Sequence, residues 1–413
     1  MRILIYGINF APELTGIGKY SGEMAAWLAG RGHEVRVVTA PPYYPEWRVR
    51  EGYSSWRYGR ESFALPAGGG FSGWRCPLWV PRSPSGLTRL LHLVTFMLTS
   101  APIMLRYFLW RPHVVLLIAP TLFCAPVAWT VARLAGGAAW LHLQDFELDA
   151  AVGLNLLRHG WLRGAARIFE RQWLLAFDRV SSISHRMLSH LGDKGVAETR
   201  CVLFPNWVDT QALYPLLGVS SYRAELGISP ETVVALYSGN MGEKQGLELL
   251  VEAARRLRSR SEIVFVLAGA GVARARLEVQ GKDLPNLRWL PLQPAERLNE
   301  WLNLADIHLL PQRADAADLV MPSKLTGMLA SGRPVVATAR LETQIGQVVA
   351  GCGQLVAPGD VDGLAEAIYQ LARNPGRRLK LGQQARRYAV EHCDYERVML
   401  DFEKNLGSLL SSP

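Results

Sequence analysis

Residues 233–257 read VVALYSGNMGEKQGLELLVEAARRL. A short apolar run, Val233–Tyr237, comes first. A turn follows in which Gly239, Gly242 and Gly246 surround Asn240 and Lys244, and Gly246–Leu257 then places apolar residues at helical spacing. An apolar run without alternation suits a strand covered on both faces. A strand that feeds a helix through a glycine turn is the repeating unit of a parallel α/β sheet.

The same pattern recurs along the chain, in VVLLIA at 114–119 and IVFVLA at 263–268. Predicted strands in the first half are Arg2–Tyr6, Glu34–Thr39, Val114–Ala119, Ala138–Leu143, Arg179–Ile183 and Cys201–Phe204. In the second half they are Val233–Tyr237, Ile263–Ala268, Leu287–Leu290, Ile307–Leu310, Pro334–Thr338 and Gln354–Val356. Helices are expected between them, including about Lys19–Leu28 and Val361–Ala372. The fold class is therefore α/β, with two doubly wound Rossmann-like domains. The break falls near Pro205–Leu217, where FPNWVD leaves a strand. This gives domains 1–207 and 208–390, then a segment 391–413 whose helix, Tyr395–Leu410, is expected to pack back across the junction.

With 413 residues, 49% apolar and 20% charged, the chain has enough material for two cores and lacks the signature of disorder. Its five cysteines have no paired spacing, which argues against a disulfide scaffold or a zinc site and fits a reducing compartment. The apolar run at the N-terminus is too short for a signal peptide. Residues 1–205 hold 22 Lys+Arg against 13 Asp+Glu, whereas the remainder holds 23 of each. The whole net charge of +9 thus lies in the first half.

One stretch departs from the alternation. Residues 41–80 contain ten aromatic residues, and residues 48–111 hold nine arginines against two glutamates. Leu90–Leu105 runs 16 residues without a charged side chain. That is shorter than the ~18–20 residues a bilayer span needs, and Pro102 is expected to interrupt it. Region 41–111 is therefore expected to dock on a membrane surface, with an ordinary buried helix pair of the first domain as the alternative. No nucleic-acid-binding motif accompanies the basic charge.

Ligands of doubly wound sheets bind beyond the carboxyl ends of the strands, so the strand-to-helix turns hold the candidate site residues. The turn after the first strand carries Gly16 and Gly18. Its spacing is wrong for a dinucleotide fingerprint and no acid ends the next strand, which argues against a nicotinamide cofactor. Asp145 follows a strand in HLQDFELD and is placed to meet a sugar hydroxyl, with a capping role as the alternative. His142 reads as a sheet residue. In the turn after Val233–Tyr237, Ser238, Gly239, Asn240 and Lys244 suit a phosphate; lysine is scarce here, with seven in the chain. Gly269 and Gly271 allow close backbone approach. Arg313 follows Leu310, and Pro322-Ser323-Lys324 opens a helix. Lys324 in a first turn opposes the helix dipole, and an anionic ligand supplies a reason for it. No metal constellation is apparent; Asp360-Val361-Asp362 reads as a helix start.

The motifs PELTGIGKY, FPNWVD, SGNMGEKQG, GAG, PSKLTGMLASGRPVVAT and LVAPGD, in this order, resemble those of the GT-B glycosyltransferases of family 4. The opening segment and PSKLTGMLASGRP are most similar to the fucosyltransferases of colanic acid biosynthesis. The resemblance implies that the two domains face across a cleft. The N-terminal domain would bind the acceptor and dock on the membrane, and the C-terminal domain would bind the nucleotide sugar. It implies metal-independent, nominally retaining transfer from GDP-fucose to a polyprenyl-diphosphate-linked saccharide, with no cofactor. The place of action would be the inner face of the cytoplasmic membrane. Asp145, Lys244 and Lys324 are then the expected catalytic groups. Gly16, Gly18, Ser238, Gly239, Asn240, Lys244, Gly269, Gly271, Arg313, Pro322, Ser323 and Lys324 would bind the donor.

The sequence departs from the family pattern where two glutamates eight positions apart are usual. Leu319 and Gly327 stand there. A sugar-nucleotide epimerase of the same fold and a non-catalytic sugar-nucleotide scaffold are the alternatives; the missing pair favours the scaffold.

Overall fold

A computed structural model describes residues 1–413 except 14–15, 67, 84, 147–159, 314–321 and 412–413, and for Lys244 the backbone alone. The chain forms two units, Met1–Pro205 with Met399–Pro413, and Asn206–Val398.

The first unit is built on an eight-stranded sheet in the order β3-β4-β2-β1-β5-β6-β7-β8. Its strands are β1 Arg2–Gly7, β2 Glu34–Thr39, β3 Gly59–Ala64, β4 Gly70–Arg75, β5 Val114–Ala119, β6 Ala138–Leu143, β7 Arg179–Ser182 and β8 Cys201–Leu203. All pairs are parallel except β3 with β4. Central β5 is buried at every residue, as its unbroken apolar sequence requires. Helix α1 (Gly16–Gly30) links β1 to β2 and α2 (Gly86–Arg106) precedes β5. Helix α3 (Ala125–Ala135) links β5 to β6, and α4 (Gly160–Ala176) precedes β7.

The second unit has a six-stranded, all-parallel sheet in the order β11-β10-β9-β12-β13-β14. The strands are β9 Val233–Ser238, β10 Ile263–Ala268, β11 Leu287–Leu290, β12 Ile307–Leu310, β13 Val335–Thr338 and β14 Gly353–Val356. Alternate residues of β9 and β10 enter different cores. Val233, Ala235 and Tyr237 pack with Phe265 and Leu267, whereas Val234 and Leu236 pack with Val266 and Trp301. Asp360 caps the helix Val361–Arg373 by accepting from the Gly363 N–H at 2.8 Å, and Asp362 pairs with Arg256 at 2.7 Å. The acidic pair is thus a helix start with a surface ion pair.

Two features of residues 41–111 go beyond the reading of the sequence, and the second corrects it. First, part of the aromatic stretch forms β3 and β4, a hairpin whose cross-strand Phe63–Phe71 pair stacks at 4.8 Å. Among the large side chains of the ten, only Tyr44, Trp56 and Tyr58 are exposed. Second, Pro102 does not interrupt the apolar run, because α2 continues through it to Arg106. The carbonyl that Pro102 deprives of a partner belongs to Leu98, which lies on the exposed face where water is available. Together with the following turn, Gly86–Trp110 is long and apolar enough to cross a bilayer by length and composition alone. One stripe of α2 nonetheless packs into the unit. His92, Phe96, Ser100 and Met104 repeat every four residues and are buried, and Ser100 Oγ lies 2.5 Å from the Tyr6 hydroxyl of β1. The opposite face exposes Leu87, Leu91, Leu98 and Leu105.

The last helix, Tyr395–Ser411, passes from one unit to the other at Met399. In the first unit Phe402 stacks on Phe204 at 4.1 Å and meets Trp140 edge-on at 5.2 Å. Glu403 accepts from His33 at 2.8 Å and pairs with Arg31 at 3.3 Å. Phe402→Ala should therefore lower stability by about 3–5 kcal/mol. Leu400→Ala, at an exposed position, should stay within about 0.5 kcal/mol in the same denaturant titration.

Candidate functional site

In each sheet the winding reverses at one point. From β1 the chain moves outward to β2 on one side and later resumes at β5 on the other. From β9 it moves to β10 and later resumes at β12. The loops leaving these paired strands diverge and open a crevice at their carboxyl ends.

In the second unit the crevice lies between the loops after β9 and β12. The β9 loop is fixed from below by backbone bonds, Gly239 N–H to Ala268 O at 3.0 Å and Met241 N–H to Ala270 O at 2.8 Å. The Tyr237 hydroxyl donates to Asn240 O at 2.6 Å. Gly269 and Gly271 sit directly beneath. Both have positive φ, and a Cβ on Gly269 would overlap the Gly239 carbonyl while one on Gly271 would strike that of Met241. These glycines are required by loop-on-loop packing, and they place Gly239 and Asn240 over the end of β10. The Ser238 hydroxyl accepts from Trp301 Nε1 at 2.9 Å, so a structural partner occupies it.

Across the crevice, Arg313 follows β12 and lies against Gly246, where a Cβ would come within 3.1 Å of Arg313 Cγ. Helix α5 (Ser323–Ala330) begins after Pro322. Lys324, in its first turn, extends over Gly239; a Cβ there would be 3.6 Å from Lys324 Cδ and 3.9 Å from its Nζ. The ammonium stands 4.2 Å from the centroid of the Tyr237 ring. Among the described residues no carboxylate pairs with it. Burial pushes the Lys324 ammonium down to about 7. A cation lying on an aromatic face with no carboxylate partner among the described residues, beside a positive-φ glycine loop, suits an anionic ligand. Gly239, Asn240, Gly246, Arg313, Lys324, Gly269 and Gly271 are therefore neighbours, whereas Ser323 is exposed. The side chain of Lys244 and all of Leu319 lie outside the described residues. A Cβ on Gly327 would face Leu302 Cδ1 at 3.3 Å and Leu213 Cδ1 at 3.7 Å, an apolar setting. Tyr237 was not singled out from sequence, because an aromatic ending VVALY reads as core.

In the first unit, Gly16 has positive φ and opens α1 beside Tyr44. Gly18 is explained by packing, since a Cβ would come 2.6 Å from Glu13 Cβ. Asp145 is half-buried just beyond β6. His142, within β6, is fully buried, and burial pushes its imidazole down to about 3. It contacts Ser181 Oγ at 2.9 Å and Gln144 Nε2 at 2.9 Å, as a neutral sheet residue would. Among the described residues no group of three or more His, Cys, Asp or Glu is arranged to hold a metal ion.

Comparison with known proteins gives this architecture a family. Residues 15–207 match the glycosyl transferase 4-like domain and residues 232–374 match the glycosyl transferases group 1 family. A protein of Escherichia coli K12, named provisionally as the colanic acid biosynthesis glycosyl transferase WcaI, is 44% identical over 412 residues. The match covers 97% of this chain and 98% of that protein. The sucrose-phosphate synthase of Thermosynechococcus elongatus has the same fold, with a TM-score of 0.76 over 100% of both chains at 16% identity. So does WaaG, a glycosyltransferase involved in lipopolysaccharide biosynthesis, with a TM-score of 0.67 over 99% of this chain and 100% of that one at 16% identity. The chain belongs to the group 1 and 4-like glycosyl transferase family, and is a glycosyltransferase with the GT-B fold.

The Lys324 environment makes stability depend on pH with a definite sign. Its folded-state value lies below the ordinary 10.5, so the unfolded chain binds the extra proton. The cost of burying the charge is present in full below pH about 7 and vanishes as pH rises toward the ordinary lysine value. Lys324→Met should therefore raise the melting temperature at pH 6 and change it little at pH 10. Equal shifts at both pH values would show that the ammonium is not desolvated.

Proposed function

We propose that this glycosyltransferase moves fucose from GDP-fucose to a polyprenyl-diphosphate-linked saccharide in an exopolysaccharide pathway of the colanic acid type. Support for the pathway comes from the relative named for colanic acid biosynthesis, similar along nearly its whole length. Support for a diphosphate leaving group comes from one observation above the others, the Lys324 ammonium held on the Tyr237 ring above the Gly239 loop with no described anion.

Breaking the anomeric C–O bond leaves negative charge on the departing nucleoside diphosphate. In this reading Lys324 meets that charge as it develops, with Lys244, Arg313, the N–H groups of the Gly239–Asn240 loop and the start of α5. The charge is carried by these groups without a metal ion. With retention, the acceptor hydroxyl attacks from the face that the diphosphate vacates and the diphosphate takes its proton. Asp145 orients a hydroxyl at the end of β6. The lipid part of the acceptor is met by a membrane-docked first unit. There α2, which also carries Arg89 and Arg106, turns Leu87, Leu91, Leu98 and Leu105 outward. The enzyme then works at the inner face of the cytoplasmic membrane.

The scaffold alternative keeps one observation in its favour, the apolar surroundings of Gly327 where the family usually has a glutamate.

Purified protein given GDP-fucose, EDTA and a membrane extract with lipid-linked saccharide should move labelled fucose into the lipid fraction. Lys324→Ala, or Lys244→Ala, should slow this by ~10²–10³-fold, the usual cost of losing one group that stabilises developing charge. No transfer from any nucleotide sugar, with GDP still raising the melting temperature, would favour the scaffold. Leu91→Glu with Leu98→Glu should abolish co-sedimentation with anionic vesicles and leave the melting temperature within a few degrees of wild type; unchanged co-sedimentation would exclude α2 as the docking face.

A further inference from the structure

The crevice of the first unit contains a carboxylate that the reaction described so far does not use. Glu13, in the loop that leaves β1, is only 5% exposed. Its Oε2 accepts from Asn9 Nδ2 at 3.0 Å. Its Oε1 accepts from two backbone groups, Tyr43 N–H at 3.1 Å and Tyr44 N–H at 3.0 Å. One side chain therefore ties the loop after β1 to the loop after β2. Helix α1 closes against it, because Gly18 has no side chain to collide with Glu13 and Gly22 none to collide with Ala11.

A second tie runs alongside. Arg75, 4% exposed at the end of β4, donates to the carbonyls of Ala11 and, at 2.9 Å, Ala40. Its ion-pair partner is Glu61, at 2.6 Å, and not Glu13. Burial raises the Glu13 carboxyl pKa, and the three N–H donors with the more distant Arg75 charge oppose the rise. Desolvating a carboxylate without a salt bridge is costly, and a neutral side chain would fill the space at less expense. What the carboxylate supplies is acceptor capacity for three donors on two loops. Tyr43, held by one of them, packs edge-on against His92 of α2 at 4.7 Å.

We propose that Glu13 is a positioning residue for the transfer reaction. It holds the loops at the carboxyl ends of β1 and β2 in the one arrangement that frames the β1/β5 crevice with Asn9 and the start of α1. The proposal rests on the reading of that crevice as a substrate site. Glu13 is sealed from solvent and acts through the loops, without touching substrate.

A glutamine retains the geometry. Its Oε1 still accepts from Tyr43 and Tyr44, and Asn9 turns its amide to accept from the new Nε2. An alanine loses all three bonds. The test compares full-length Glu13→Gln and Glu13→Ala by three readouts, transfer kinetics, hydrogen exchange at the Tyr43 and Tyr44 amides, and the melting shift produced by GDP. Glu13→Gln should keep kcat within about threefold and retain amide protection. Glu13→Ala should lose protection at both amides and lower kcat by ~10²-fold, the scale set by an ångström of misplacement. The GDP shift should persist in both, which separates lost positioning from lost folding. Wild-type kcat in Glu13→Ala would overturn the proposal. So would Glu13→Gln as slow as Glu13→Ala with its amides protected, since the negative charge itself would then be required. An inactive wild-type chain would instead overturn the transfer reading, and this role with it.

Discussion

Two parallel strands cannot be joined by a tight turn. The chain must cross a face of the sheet, and the right-handed crossover commits the connecting helix to one face. A sheet that grows in both directions from a central strand is then covered on both faces, and the two loops at the centre part. In this protein that happens between β1 and β5 and again between β9 and β12. The other features of the candidate site depend on these two partings. They decide which glycine turns border a crevice and which helix starts point into one.

In the second unit the parting is reinforced by loops stacked without side chains between them. Gly269 and Gly271 let the β10 loop run directly beneath the β9 loop, so backbone bonds hold Gly239 and Met241. Lys324 then reaches across from the far side of the crevice to the Tyr237 ring. The ring lends the ammonium some stabilisation that water would otherwise give. A helix start that carries lysine against its own dipole is tolerated for the same reason.

The first unit solves a different problem. Its loops after β1 and β2 are long and make few regular bonds. They are held by two buried ionisable side chains, Glu13 and Arg75, each joining both loops. Glu13 also links the crevice to α2 through Tyr43 and His92. An apolar outer face and a polar inner loop therefore belong to one packed body.

Twelve strands were legible in the sequence to within a residue at either end, because a strand buried on both faces writes an unbroken apolar run. The glycine turn at Gly239 and the lysine that opens a helix at 324 were legible too, since glycine spacing and helix-start signals are local. The hairpin β3–β4 was not. Its outer strand alternates exposed and half-buried residues, and its aromatics find their partners across strands. Tyr237 and Glu13 were invisible for a deeper reason. A tyrosine ending a core strand, or a glutamate after Ala-Pro, acquires meaning only from groups 87 and 30 positions away that the fold brings beside it. The sequence by itself determined where the chain is strand, helix or glycine turn, because those preferences act over a few residues. Which cation stands on which ring and which carboxylate joins which loops were decided by tertiary structure alone, because hydrogen bonds and burial act through space.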